Sequence, residues 1–152
     1  MTEAQNKRAG WNLIWVHEDA LRDDHPAYIA APYDTRRVFV WDKDDFQARG
    51  YSLKRLVFLH ECLQDMTVDV IAGHTKEVLS ALNPDRLYTA QTHDPARRAI
   101  ISALRETCDV IQTPDAVLTE VSDDTELGRF FRFWNKARRS AMSFSSEDKA
   151  VP

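Results

Sequence analysis

At 152 residues the chain has the length of one ordinary domain, enough to bury roughly 70% of its unfolded surface around a single core. Hydrophobic residues at 43% and charged residues at 29% exclude a wholly disordered chain, and a formal charge of -4 offers no general attraction to a phosphate backbone, so no direct DNA binding is expected. No apolar signal core opens the chain and no apolar run nears the ~20 residues of a membrane span, which makes the cytoplasm the expected compartment, with no membrane partner.

Residues 1–10 are polar and read as a flexible lead-in, with the folded part over residues 11–142. Trp11 to Val16 form the first strand, and their near-continuous apolar character suits a central parallel strand covered on both faces. A polar turn, His17-Glu18-Asp19, follows. His25 and Pro26 open a short helix through Ala31, which Pro32 stops. Arg37 to Trp41 combine β-branched and aromatic residues in a second strand that ends at Asp42 in a charged turn. Ser52 caps a helix running to Met66, in which Leu53, Leu56, Val57, Leu59 and Leu63 recur at helical spacing. Val68 to Ala72 make a third strand closed by Gly73, and His74 to Leu82 return as a helix.

Arg86 to Ala90 give a fourth strand, and the turn Gln91-Thr92-His93-Asp94-Pro95 leads into a helix from Ala96 to about Glu106, with Asp94 as cap. Asp109 to Gln112 are a fifth strand that Pro114 ends. Strands alternating with helices, through connections too long for hairpins, predict an α/β fold: a Rossmann-like, doubly wound, five-stranded parallel sheet of order 3-2-1-4-5 with helices on both faces. Val117 to Val121 allow a short extended segment. Glu126 to Met142 then place an aromatic stripe, including Phe130, Phe133 and Trp134, on a basic helix that its own domain covers, with a partner protein or nucleic acid as the other readings of the interleaved arginines. Residues 143–152 form a polar tail expected to be disordered.

Chemical signals are sparse. Gly10, Gly50, Gly73 and Gly128 make neither a GxGxxG fingerprint nor a GxxxxGK phosphate loop. His60-Glu61-Cys62 does not suit a metal, since helical residues two apart face different ways, and Cys62 and Cys108 lack CxxC spacing and read as reduced packing thiols. In a 3-2-1-4-5 sheet the turns after strands one and four flank the switch point, so a cleft gathering His17, Glu18, Asp19, Gln91, His93 and Asp94 is the candidate ligand site. A solvated turn and simple helix capping remain alternative readings of the same residues. Trp41 and Arg55 complete the ligand-binding candidates, Arg55 as a donor suited to phosphate or carboxylate. No catalytic residue is assigned, because no nucleophile motif, metal triad or phosphate loop accompanies these groups.

Several stretches invite comparison with one family. LIWVHEDALRDDHPAY resembles the opening strand and turn of the DNA photolyase and cryptochrome family, and VFVWDKDDF resembles its second strand. YSLKRLVFLHECLQDM is similar to the family helix of form Lys/Arg-x-x-Phe-Leu-x-Glu-x-Leu, and IAGHTKEVL to its Gly-x-x-x-x-Val-Leu segment. DPARRAI and RFFRFWNKARR extend the resemblance to about Ala141, while His17 and Glu18 stand where the family carries arginines. The resemblance covers the antenna-type α/β domain and not the helical domain that holds the catalytic flavin. It implies a stand-alone, non-catalytic module for a folate, deazaflavin or flavin antenna pigment, or for a nucleotide-like ligand. The alternative it implies is an interaction subunit, pairing through Phe130, Phe133 and Trp134 with a separate flavin-binding domain or as a homodimer.

Overall fold

A computed structural model describes residues 10–117, 119, 121 and 128–142. The expected N-terminal lead-in through residue 9, the tail over 143–152, and the start of the last helix at 126 and 127 lie outside the described residues. Five parallel strands, β1 (Asn12–Val16), β2 (Arg36–Trp41), β3 (Asp69–Ala72), β4 (Arg86–Ala90) and β5 (Asp109–Thr113), form one sheet in the order β3-β2-β1-β4-β5. The fold is therefore the doubly wound α/β arrangement that the strand and helix alternation predicts. β1 lies at its centre, with Ile14 beside Arg37 of β2 on one side and Tyr88 of β4 on the other.

Side chains alternate across the sheet and build two cores. Ile14, Val16, Phe39, Tyr88 and Ala90 face α1 (Pro26–Ile29), α2 (Lys43–Ala48) and α3 (Leu53–Gln64), where they meet Tyr28, Phe46, Leu59 and Leu63. Leu13, Trp15, Val38, Val40 and Leu87 face the other way, against Leu79 of α4 (Thr75–Leu82) and Ile101 and Leu104 of α5 (Pro95–Leu104). Because the middle of β1 feeds both cores, Leu13 to Val16 are all buried and apolar, which explains the lack of alternation in its sequence. Thr89 is the polar exception: fully enclosed, it donates its hydroxyl to the Trp15 carbonyl oxygen at 3.0 Å.

Three expectations are refined. The charged turn after β2 is a helix, α2, whose N-cap is Asp42; its single apolar anchor, Phe46, is too little to register as a periodic pattern. In α3 the inward positions are Leu59 and Leu63, with Leu56 half-buried, whereas Leu53 and Val57 point to solvent. The helix is half-covered, so only part of its apolar repeat is core. The contacts also divide the chain into two compact units at Asp115/Ala116, whereas the sequence reads as one domain over 11–142. Of the suggested segment Val117 to Val121, the described residues have no regular structure. In the second unit α6 (Phe130–Ala141) carries Phe130 stacked on Trp134 at 6.2 Å and edge-on to Phe131 at 5.6 Å.

Candidate functional site

The turn after β1 is built on His17. Strand pairing carries the imidazole into the protein, where it is 3% exposed, with Nε2 3.1 Å from the Ala90 carbonyl oxygen at the end of β4. The carbonyl can only accept, so Nε2 carries the proton and Nδ1 is left to accept from the Asp19 backbone N–H at 3.4 Å, capping the one-turn 3-10 helix Glu18–Ala20. Burial pushes the His17 pKa below its ordinary value, partly opposed by the bond to Ala90. His17 is thus a neutral ring with both nitrogens engaged.

Glu18 and Asp19 enter an ion network whose hub is Arg97 of α5. The Arg97 guanidinium, 8% exposed, bonds Glu18, both oxygens of Asp19 at 3.1 and 3.2 Å, and Asp94 at 3.2 Å. Glu18 also accepts from the Tyr51 hydroxyl and from Arg55 at 3.2 Å, and Arg55 lies over the Tyr51 ring at 4.5 Å. Asp94 is bound in turn by Arg49, which also holds Asp45 at 2.7 Å, while Asp94 caps α5 through the Ala96 and Arg97 N–H groups. Burial raises the Glu18 carboxyl, but bonds from Tyr51 and Arg97 more than reverse this and leave its pKa below the usual value. The Arg49 bond holds Asp94 well below the carboxylate range. Burial works against the Arg97 charge and is outweighed by Glu18, Asp19 and Asp94, so its pKa is raised. Glu18, Asp94, Arg49 and Arg97 are thus held in their charged forms, which suits a latch and not acid-base exchange.

Beneath the latch, Asp42 joins two helices. Its Oδ1 accepts from the Asp45 N–H at 3.1 Å, opening α2, and its Oδ2 accepts from the Thr75 N–H at 2.8 Å and the Thr75 hydroxyl at 3.1 Å, opening α4. The space between this carboxylate, His17, Glu18 and Arg97 is only about 30 Å³. That holds a water, and is far below the roughly 300 Å³ at which small-molecule pockets begin.

The expected single cleft is therefore split. Burial alternates along residues 91–94: Thr92 is buried, Asp94 half-buried, and both bond the latch, whereas Gln91 and His93 are exposed. Gln91 and His93 instead line a groove of about 870 Å³ along α5 and the end of β5, with Arg98, Ser102, Arg105 and Gln112. His17, Glu18, Asp19, Asp94 and Arg55 share the network, whereas Trp41 packs edge-on against Phe46 at 5.1 Å within the α2 and α3 layer. Sequence reading missed Arg49, Tyr51, Thr92, Arg97, Arg98 and Arg105. Only the Asp94-Pro95 helix start carried a signal for Arg97, which follows it in the first turn. A second groove, of about 800 Å³, lies at the opposite end of the sheet between Tyr28, Tyr33 and the starts of β2 and β3.

No protein-family model matches the chain, and no curated protein matches it significantly. Among the described residues no group of three or more His, Cys, Asp or Glu is placed to hold a metal, and no helix is long and apolar enough to cross a membrane.

Proposed function

We propose that the chain is a non-catalytic ligand-binding module of photolyase and cryptochrome antenna type, which takes a planar or nucleotide-like ligand at the carboxyl ends of its strands. The observation that carries this is the position of the open groove: it is bounded by the turn after β4 and the end of β5, the end of the sheet at which doubly wound folds bind ligands. Its volume falls within the range of small-molecule and cofactor sites. Gln91 and His93 supply hydrogen-bonding groups at its mouth, and the ion latch beside it fixes the turns that carry them. The resemblance in sequence supports the same choice and suggests a flavin, deazaflavin or folate as the occupant.

The test is the near-ultraviolet and blue absorption of the purified protein, with thermal shifts on adding flavin mononucleotide, a reduced folate or an adenine nucleotide. A bound chromophore, or stabilisation by one of these that Gln91→Ala and His93→Ala weaken, is expected. A colourless protein unshifted by all of them overturns the reading.

A second reading rests on α6, where Phe130 and Phe131 are 65% and 76% exposed beside Arg129 and Arg132. On this reading the chain pairs through Phe130, Phe133 and Trp134 with a second copy or a separate flavin-binding domain. Sedimentation that reports a monomer at every concentration, alone and mixed with such a domain, removes it.

A further inference from the structure

The arginines of the α/β unit are almost all neutralised. From Arg22 to Arg97, each forms an ion pair with an aspartate or glutamate. Two do not. Among the described residues Arg98 makes no side-chain hydrogen bond or ion pair, and Arg105 bonds only the neutral Gln112 amide oxygen, at 2.8 Å. Both line the α5 groove, and none of the described residues that line it is a carboxylate, in a chain whose Asp and Glu outnumber Lys and Arg by 24 to 20. The neighbouring Arg97 shows how readily this protein surrounds a guanidinium with acid where the charge serves the fold alone.

We infer that the α5 groove is an anion-selective site for a small ligand carrying two negative groups, one on Arg98 and one on Arg105. Seven residues separate the two, so they share a helix face and their Cα atoms lie about 10 Å apart along the axis. A guanidinium is a planar fork that grips carboxylate or phosphate through paired donors, and Gln112 holds that of Arg105 in place before a ligand arrives. His93 and Ser102 add donors between and beside them. The inference rests on the ligand-binding reading for the choice of groove and specifies the ligand's charge, not its aromatic part.

The test is binding of the dicarboxylates succinate, adipate and suberate at low ionic strength, followed by amide chemical shifts in the full chain. Suberate, whose carboxylate spacing comes nearest the ~10 Å that separates the two Cα atoms along the helix, is expected to bind about five-fold tighter than succinate, as one added solvent-exposed ion pair supports. Arg98→Gln and Arg105→Gln are each expected to erase that preference, and since both side chains are exposed the variants should keep the wild-type circular dichroism. Equal binding of all three acids, or a preference that survives either substitution, overturns the inference. Tighter binding of a single-stranded oligonucleotide than of suberate also overturns it, since the groove would then be a polyanion surface. Riboflavin and its phosphate separate the two claims: equal affinity for both flavins, unaffected by the substitutions, keeps the ligand-binding reading and sinks this one. Suberate binding without any aromatic ligand does the reverse.

Discussion

Arg97 and Arg98 are neighbours of identical chemistry that do opposite things, because one step along a helix turns the side chain by about 100°. Arg97 points down into the turns of β1 and β4 and neutralises three carboxylates; Arg98 points out into the groove. Removing the Arg97 charge leaves Glu18 and Asp94 mostly buried without their shared partner, so Arg97→Met is expected to lower the unfolding free energy by about 3–5 kcal/mol. Arg97→Lys should lose less, because a point charge can satisfy one carboxylate but not reach three through a fork. Urea denaturation of the three proteins checks both. A wild-type midpoint in Arg97→Met would show that the latch contributes nothing to the fold. Beyond the Asp94-Pro95 helix start that places Arg97 in a first turn, none of this was legible in the sequence, where Glu18 and Arg97 stand 79 residues apart and the acidic turn could equally have been solvated.

At the scale of elements, the sequence was most informative where one segment's own pattern decides its structure. Ser52 before α3, Asp94-Pro95 before α5 and the β-branched run of β2 each fix an element from within. It was least informative where a residue serves two elements at once. Asp42 caps α2 three residues along the chain, a local signal overlooked because the helix has only six residues, and caps α4 from 33 residues away, which no local pattern reveals. Since each carboxylate oxygen has its own helix, Asp42→Ala is expected to cost about 1 kcal/mol per cap, some 2 kcal/mol in all. Asp42→Asn should cost about half that, because its amide can present one acceptor and must turn a donor toward the other N–H. Hydrogen exchange of the first-turn amides of α2 and α4 distinguishes the outcomes. Protection lost in one helix only, in the alanine variant, would show that the double cap is not shared.

For the whole molecule, the buried ionisable groups shift so that all their contributions to acid stability have one sign. Burial lowers the pKa of His17, and burial lowers that of His25, whose Nδ1 caps α1 by accepting from the Ala27 N–H at 3.1 Å. Both are neutral when folded, so as the pH falls through the ordinary histidine value of 6.5 the unfolded chain takes up protons that the native protein does not, and stability falls. Glu18, Asp42 and Asp94 are also depressed, and their contribution, present above ordinary carboxylate values of 4.5 and 3.8, is lost as the pH falls further through their folded values. Two separate declines are therefore expected on acidification, a histidine phase below about pH 7 and a steeper carboxylate phase below about pH 4. Each buried histidine adds up to about 1.4 kcal/mol per pH unit to the first phase. His17→Gln keeps an acceptor for the Asp19 N–H or a donor for Ala90, and His25→Asn keeps the cap on α1, so each should shrink the first phase while leaving the second in place. Chemical denaturation at half-unit pH intervals measures this directly. A stability that stays level down to pH 5, or rises on acidification from pH 7, would mean that the rings at the ends of β1 and α1 accept protons in the folded protein as readily as in the unfolded chain.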